Sequence, residues 1–362
     1  MYKRARRVNK YGFNQISGNA ESICRYIVKN CWNGYYFFTS TGHFRQFWIR
    51  DFAICVEALV GLGYKEEVSK TLNFVLNIFN TNNVITTCLT PEGQPLDVFN
   101  DSPDSLPLLL TSIRLSKSYD LLVRYENFIR KQTEIYYNSV FDKLTGLVKK
   151  NKTFSEMGDS TIVSSSCYNN CMLALLSDEL TKMNLFNPFA GLNFKENIKK
   201  HFWTGDYFLD DLSGRDYVAG DAQVFPFWCN IIKDENMLDK ALLSIKKAGL
   251  EQPMPLKHAN KQAKNKVVFP LNLILKDYQG DSIWMNIGLC YLDVLKKFNK
   301  KELLHNYLAL YKKSIEENKT FLELFNSDGS LYKKFHYVAD EGMLWAAKYL
   351  FLVENPKSNS GT

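Results

Sequence analysis

Helical periodicity returns twelve times along this 362-residue chain, and the links between those segments alternate between short and long. The spacing predicts helices over 17–30, 50–62, 64–79, 104–116, 119–138, 164–185, 194–202, 221–232, 234–248, 281–298, 300–319 and 341–353. In the second, Phe52, Cys55, Val56, Leu59 and Leu62 recur at three- and four-residue intervals, and Gly63 stands where a helix stops. The long links are 31–49, 80–103, 139–163, 203–220, 249–280 and 320–340. Antiparallel neighbours joined in this way put every short turn at one end and every long loop at the other. Six such hairpins closing into a ring make an all-α (α/α)6 toroid. It would be one domain over 1–355, followed by a disordered tail at 356–362. An open helical solenoid is the other architecture with this alternation, but no consensus repeat runs through the chain.

Composition narrows the function. The net charge is +7, and much of it lies in Lys3, Arg4, Arg6, Arg7 and Lys10 and in Lys257, Lys261, Lys264 and Lys266. No nucleic-acid recognition motif accompanies either group, so both read as solvated surface and no nucleic-acid partner is expected. No apolar run approaches the ~18 residues of a membrane span. Polar residues follow the basic start where a signal peptide would have a hydrophobic stretch. Eight scattered cysteines suit buried thiols in a reducing compartment, hence a cytoplasmic protein. Cys167 and Cys171 share a helical face, but no histidine cluster joins them, and no metal or other cofactor is expected. Phosphate-cradling glycine loops and Gly-x-Ser-x-Gly are both missing. Nothing in the sequence fixes an oligomeric state.

The long loops concentrate aromatic residues and carboxylates. The first holds Trp32, Tyr35, Tyr36 and Phe37 and runs into Trp48-Ile-Arg-Asp51, where Arg50 and Asp51 form a charged pair at a loop-to-helix junction. Later loops carry Asp101-Ser-Pro-Asp-Ser-Leu-Pro107, Phe154-Ser-Glu-Met-Gly-Asp-Ser160, Tyr278-Gln-Gly-Asp-Ser-Ile-Trp284 and Glu323-Leu-Phe-Asn-Ser-Asp-Gly329. Loops this long inside a compact domain are usually functional. Aromatic faces stack on pyranose rings, and charged groups make the stronger hydrogen bonds to hydroxyls, so a small carbohydrate is the expected partner.

These segments resemble the glucoamylase-type glycoside hydrolases and the amylo-1,6-glucosidase part of glycogen-debranching enzymes. Trp48-Ile-Arg-Asp51 is similar to the family's Trp-x-Arg-Asp, and Asp104-Ser-Leu-Pro107 to its Asp-Ser-x-Pro. Ser155-Glu-Met-Gly-Asp-Ser160, with a helix beginning near Tyr168, resembles the loop carrying the catalytic acid. Glu323 through Asp328-Gly329 to Leu344-Trp-Ala-Ala347 resembles the region carrying the base. The chain departs from the family in having Ser155 where many relatives have Trp, and Trp-Ala-Ala where they have Trp-Ser-x-Ala. The resemblance implies a six-hairpin toroid that hydrolyses an α-glycoside with inversion. In that reading Glu156 or Asp159 is the acid, Glu323 or Glu341 the base, and Arg50 and Asp51 hold the terminal sugar. Trp48, Asp104, Trp284, Tyr168 and Asn169 are further candidates for the sugar pocket, and His43 and His336 for the mouth. Structural readings stand beside these: loop carboxylates for Glu156 and Asp159, a buried ion pair for Arg50 and Asp51, and helix caps for Asp221 and Asp281. A sugar phosphorylase or epimerase on the same toroid, or a non-catalytic sugar-binding protein, would share the pattern.

Overall fold

The computed structural model describes residues 2–150, 152–158, 161–261, 275 and 277–354. In chain order its helices are α1 (Tyr2–Tyr11), α2 (Ala20–Asn30), α3 (Ile49–Gly61), α4 (Lys65–Asn82), α5 (Ser105–Ser116), α6 (Asp120–Ser139), α7 (Cys167–Lys182), α8 (Phe194–Phe202), α9 (Gly220–Trp228), α10 (Glu235–Lys247), α11 (Met285–Lys297), α12 (Lys301–Asn318) and α13 (Ala346–Glu354). Every helix expected from periodicity is present, displaced at its ends by a few residues. Asp159, Lys264, Lys266 and the expected tail at 356–362 lie outside the described residues.

The helices from α2 to α13 form two concentric layers. Around the inside, α3 packs on α5, α5 on α7, α7 on α9, α9 on α11, α11 on α13, and α13 back on α3. That closed circuit is the (α/α)6 toroid, and it excludes the open solenoid. The outer layer is α2, α4, α6, α8, α10 and α12. Inner helices are buried on nearly every face: α7 buries Cys167 through Leu176 without interruption. Outer helices show one apolar stripe, as in α10 with Met237, Leu238, Ala241 and Ile245. All eight cysteines are buried thiols, none of them in a disulfide.

Each long loop leads from an outer helix into the N-terminus of an inner one, so all six gather at one mouth. Short strands and single bridges stitch them together. β1 (Phe47–Trp48) of the first loop pairs with β2 (Cys88–Leu89) of the second, and β2 with β3 (Pro95–Leu96). The third loop forms its own pair, β4 (Phe141–Asp142) with β5 (Leu147–Val148). It reaches the second through the Ser155 N–H to the Asp101 carbonyl (3.0 Å) and the fourth through the Leu212 N–H to the Ser164 carbonyl (2.9 Å). Ala219 and Ala259 bridge the fourth and fifth loops. β6 (Ile283–Trp284) pairs with β7 (Leu324–Phe325), joining the fifth and sixth. The Thr41 N–H closes the circuit on the Gly342 carbonyl at 3.0 Å.

Three expectations need correction. The helix expected to start at 281 starts at Met285, because Ile283 and Trp284 are used as a strand; Asp281 therefore does not cap it. Asp221 lies inside the first turn of α9 and is not its cap, which is Ala219. The basic N-terminal segment is not simply solvated surface: it is the helix α1, with Ala5 and Val8 buried and Arg4 and Arg7 paired to Asp340 and Glu341.

Candidate active site

Two cavities lie on the axis of the ring. The larger, about 490 Å3, is at the end where the inner helices terminate. Each of its four carboxylates has a basic partner: Glu57 and Asp293 share Lys348, Glu179 takes Arg114, and Asp178 takes Lys182. Its carboxylates are therefore consumed within the fold. The smaller cavity, about 240 Å3, opens at the mouth and is lined by Trp48, Arg50, Asp51, Met157, Tyr278, Gln279, Trp284, Asn286, Glu323 and Trp345 among others. It is below the roughly 300–1,000 Å3 of pockets for drug-sized ligands. The mouth cavity is the candidate site.

Local sequence explains how the wall is built. Helix N-caps favour Ser, Thr, Asp or Asn. α3 and α11 instead carry Trp48 and Trp284 at that position, with no side-chain cap bond, and both indoles line the cavity. Trp284 Nε1 donates to the Tyr278 carbonyl at 2.6 Å, which fixes its plane. Trp48 Nε1 is buried with no acceptor among the described residues, leaving a donor for a ligand. Two helix starts thus give up a cap and supply aromatic walls.

Arg50 and Asp51, one residue apart in the first turn of α3, point in different directions. The Arg50 Nε donates to Asp104 Oδ2 at 2.6 Å, and Asp104 also accepts from the Tyr168 hydroxyl (2.7 Å) and Ser102 Oγ (3.0 Å). Asp104 and Tyr168 consequently stand behind Arg50 and orient it; neither lines the cavity. Asn169 does not line it either: it is buried, its N–H bonds to Ser166 Oγ, and its carboxamide has no partner among the described residues. Asp51 accepts from Trp345 Nε1 at 2.9 Å. The simple Arg50–Asp51 pair of the sequence reading thus becomes a wider network.

Burial pushes the Asp51 carboxyl up to about 7 against the pull of Arg50 and the Trp345 N–H, with Glu323 adding to the rise. An unfolded Asp ionises near 3.9, so between about pH 4 and 7 the folded chain binds more protons at this site and stability falls as pH rises. Asp51→Asn should remove that slope. In calorimetric scans from pH 5 to 8, wild type should lose Tm relative to the variant; parallel curves would contradict the assignment.

Glu323 is buried and held from three sides. Tyr278 OH donates to Oε1 (2.6 Å), while Tyr337 OH (2.7 Å) and the Asp340 N–H (2.8 Å) donate to Oε2. Burial raises its pKa; His43 counteracts and Asp340 reinforces the rise. Glu341, the other candidate base, is engaged elsewhere: it accepts from the Asn14 N–H at 2.6 Å and pairs with Arg4 and Arg7. His43 lies over Tyr337 and its Nδ1 is 3.0 Å from Asp340. His336 packs instead against Tyr2 and Phe335.

Glu156 is buried in the third loop, where its Oε2 accepts from Ser166 Oγ at 3.0 Å. Ser166 caps α7. The next residue, Met157, lines the cavity. Tyr278 and Gln279, adjacent in the fifth loop, connect the two acidic segments: Tyr278 reaches Glu323, and Gln279 Nε2 donates to the Met157 carbonyl at 3.2 Å. Tyr278, Gln279, Tyr337 and Asp340 were not singled out by sequence. Only the Tyr278–Trp284 segment, marked for its aromatics, pointed toward any of them.

Fold and site together define a six-hairpin toroid with a small, acid-lined, aromatic-walled cavity at its loop end. No protein-family model and no curated protein matches the sequence. Solved structures do match. A GH63 mannosylglycerate hydrolase from Thermus thermophilus, in complex with Tris and D-glycerate, is 10% identical with a TM-score of 0.63, over 92% of this chain and 100% of that one. A glycosidase in complex with glucose is 11% identical with a TM-score of 0.64, over 92% and 96%. A rhamnosidase from Klebsiella oxytoca with rhamnose bound is 9% identical with a TM-score of 0.66, over 94% of this chain and 65% of that one. At such identities the likeness establishes the shared fold, the six-hairpin architecture expected from the sequence.

Proposed function

We propose that the protein is an inverting, exo-acting α-glycosidase that hydrolyses a small α-glucoside or oligosaccharide. The observation carrying this reading is the company Glu323 keeps: a buried carboxylate, held by two hydroxyls and an amide, opening on the same small cavity as Arg50, Asp51, Trp48 and Trp284. The glycosidases that share the fold support it. Inversion needs one carboxylic acid to protonate the leaving oxygen and one carboxylate to activate water on the opposite face of the sugar. Glu156 is the proposed acid and Glu323 the proposed base. Arg50 and Asp51 bind the hydroxyls of the terminal sugar, and the two indoles cover its faces. The cavity's size suits one ring, which favours exo action.

The test is proton NMR of reactions with a panel of α-linked disaccharides. The β-anomer should appear first and then mutarotate. First appearance of the α-anomer would overturn inversion. Phosphate-dependent cleavage would make the protein a phosphorylase, and saturable sugar binding without turnover would remove the enzymatic reading.

A further inference from the structure

We propose that Arg4, on a helix outside the twelve-helix ring, is a positioning residue for the base. Its guanidinium holds residues 338–341 in the conformation that aims the Asp340 amide at Glu323. This rests on Glu323 as the base.

The geometry is a short relay. Arg4 Nη1 donates to the Val338 carbonyl (3.1 Å), both Arg4 Nη atoms reach the Ala339 carbonyl (3.3 and 3.2 Å), and Nη2 lies 3.2 Å from Asp340 Oδ1 and from Glu341 Oε1. One side chain therefore fixes four consecutive residues. The planar, multi-donor guanidinium suits this role; a lysine would supply charge without the fork. Asp340 is fully buried and anchors the first loop to the sixth. Its carboxylate accepts from Ser40 Oγ and from the amides of His43 (3.0 Å) and Phe44 (3.0 Å). Gly42 permits this approach, since a Cβ there would lie 1.9 Å from Asp340 Oδ1. The neighbours Tyr337 and Asp340 then supply two of the three donors to Glu323.

Charge runs along the same path. Burial alone would raise the Asp340 carboxyl, but His43, Arg4 and Ser40 hold it well below the usual carboxylate range. Asp340 is thus a fixed anion beside Glu323, and Arg4 offsets it. The other titratable groups facing Glu323 are His43 from the first loop, Asp51 from α3, Tyr278 from the fifth loop, and Tyr332 and Tyr337 from the sixth. None of them belongs to α1.

Arg4→Met should lower kcat about tenfold with KM little changed. It should also move the acid limb of the kcat/KM profile up by about half a pH unit, because the Asp340 charge is less compensated. Arg4→Lys should restore the limb but not the full kcat. Asp340→Asn tests the same path from its centre, and should move the limb down. Rates are normalised to folded protein by circular dichroism, and Arg4→Lys is used alone if Arg4→Met does not fold. In that variant the test is the reduced kcat at an unmoved limb. A purely structural role would lower Tm and folded yield while leaving limb and normalised kcat unchanged, and would overturn the proposal. If Glu323→Gln remains active, the base assignment fails; if it is inactive while the Arg4 variants match wild type, only this inference fails.

Discussion

Glu323→Gln is expected to lose about 10²–10⁴-fold in turnover while the fold and KM are largely retained. The substitution keeps the shape of the side chain and removes its capacity to take a proton. Its carbonyl oxygen can accept from Tyr337 and the Asp340 amide, where Oε2 does now, and its NH2 can face the Tyr278 hydroxyl, which is able to accept. The Tyr278 O–H, released from Oε1, can turn to the Tyr337 hydroxyl 3.3 Å away, so a large loss of kcat would report chemistry and not collapse. Steady-state rates on an α-linked disaccharide measure it, with bound sugar followed by tryptophan fluorescence, since Trp48, Trp284 and Trp345 line the cavity. The companion Glu156→Gln should be as damaging on a natural disaccharide. It should be much less so on a glycoside whose leaving group needs no proton. Near-normal turnover in either variant discards the corresponding role.

How much of this was legible beforehand depends on the range over which each signal acts. Helix positions are local: the Phe52, Cys55, Val56, Leu59 pattern of α3 is written in neighbouring residues, and so is the contrast between short turns and long loops. The closed ring follows from that alternation. Two-residue strands carry no local signature, because Trp284 becomes a strand residue only through its partner Leu324 in another loop. The same reason hid the environment of Glu323. Its donors come from the fifth and sixth loops, and the anion beside it is tied down by the first loop and by α1. The helix α1 was missed because its charged residues outnumber its buried ones, Ala5 and Val8, and the sequence does not show that Arg4 and Arg7 meet buried acids 334 or more residues away. The Trp-x-Arg-Asp segment was conspicuous for the opposite reason: it places aromatic and charged residues where a helix start ordinarily has a cap.

At the other end of the ring, Lys348→Met should cost about 3–5 kcal/mol of stability, the largest stability effect expected from a single substitution here. Lys348 is 2% exposed, with its ammonium 2.6 Å from Asp293 and 3.2 Å from Glu57. The two carboxylates hold that proton firmly and raise the lysine pKa. On the Asp293 side burial dominates: its carboxyl is raised despite Lys348 and the Trp228 N–H. The pair as a whole is therefore worth little, yet breaking it is expensive, because Asp293 would remain buried without its ammonium partner. Two outcomes separate this account from simple loss of packing. The deficit of Lys348→Met should shrink from pH 8 to pH 5: folded Asp293 would then bind its proton well above the unfolded value near 3.9, so stability declines as pH rises through that interval. The double variant Lys348→Met with Asp293→Asn should recover most of the loss, since the uncompensated charge is gone. Urea unfolding at the two pH values measures both. A deficit independent of pH and unrelieved by the second substitution would show that Lys348 serves through its packed hydrocarbon stem instead of its charge.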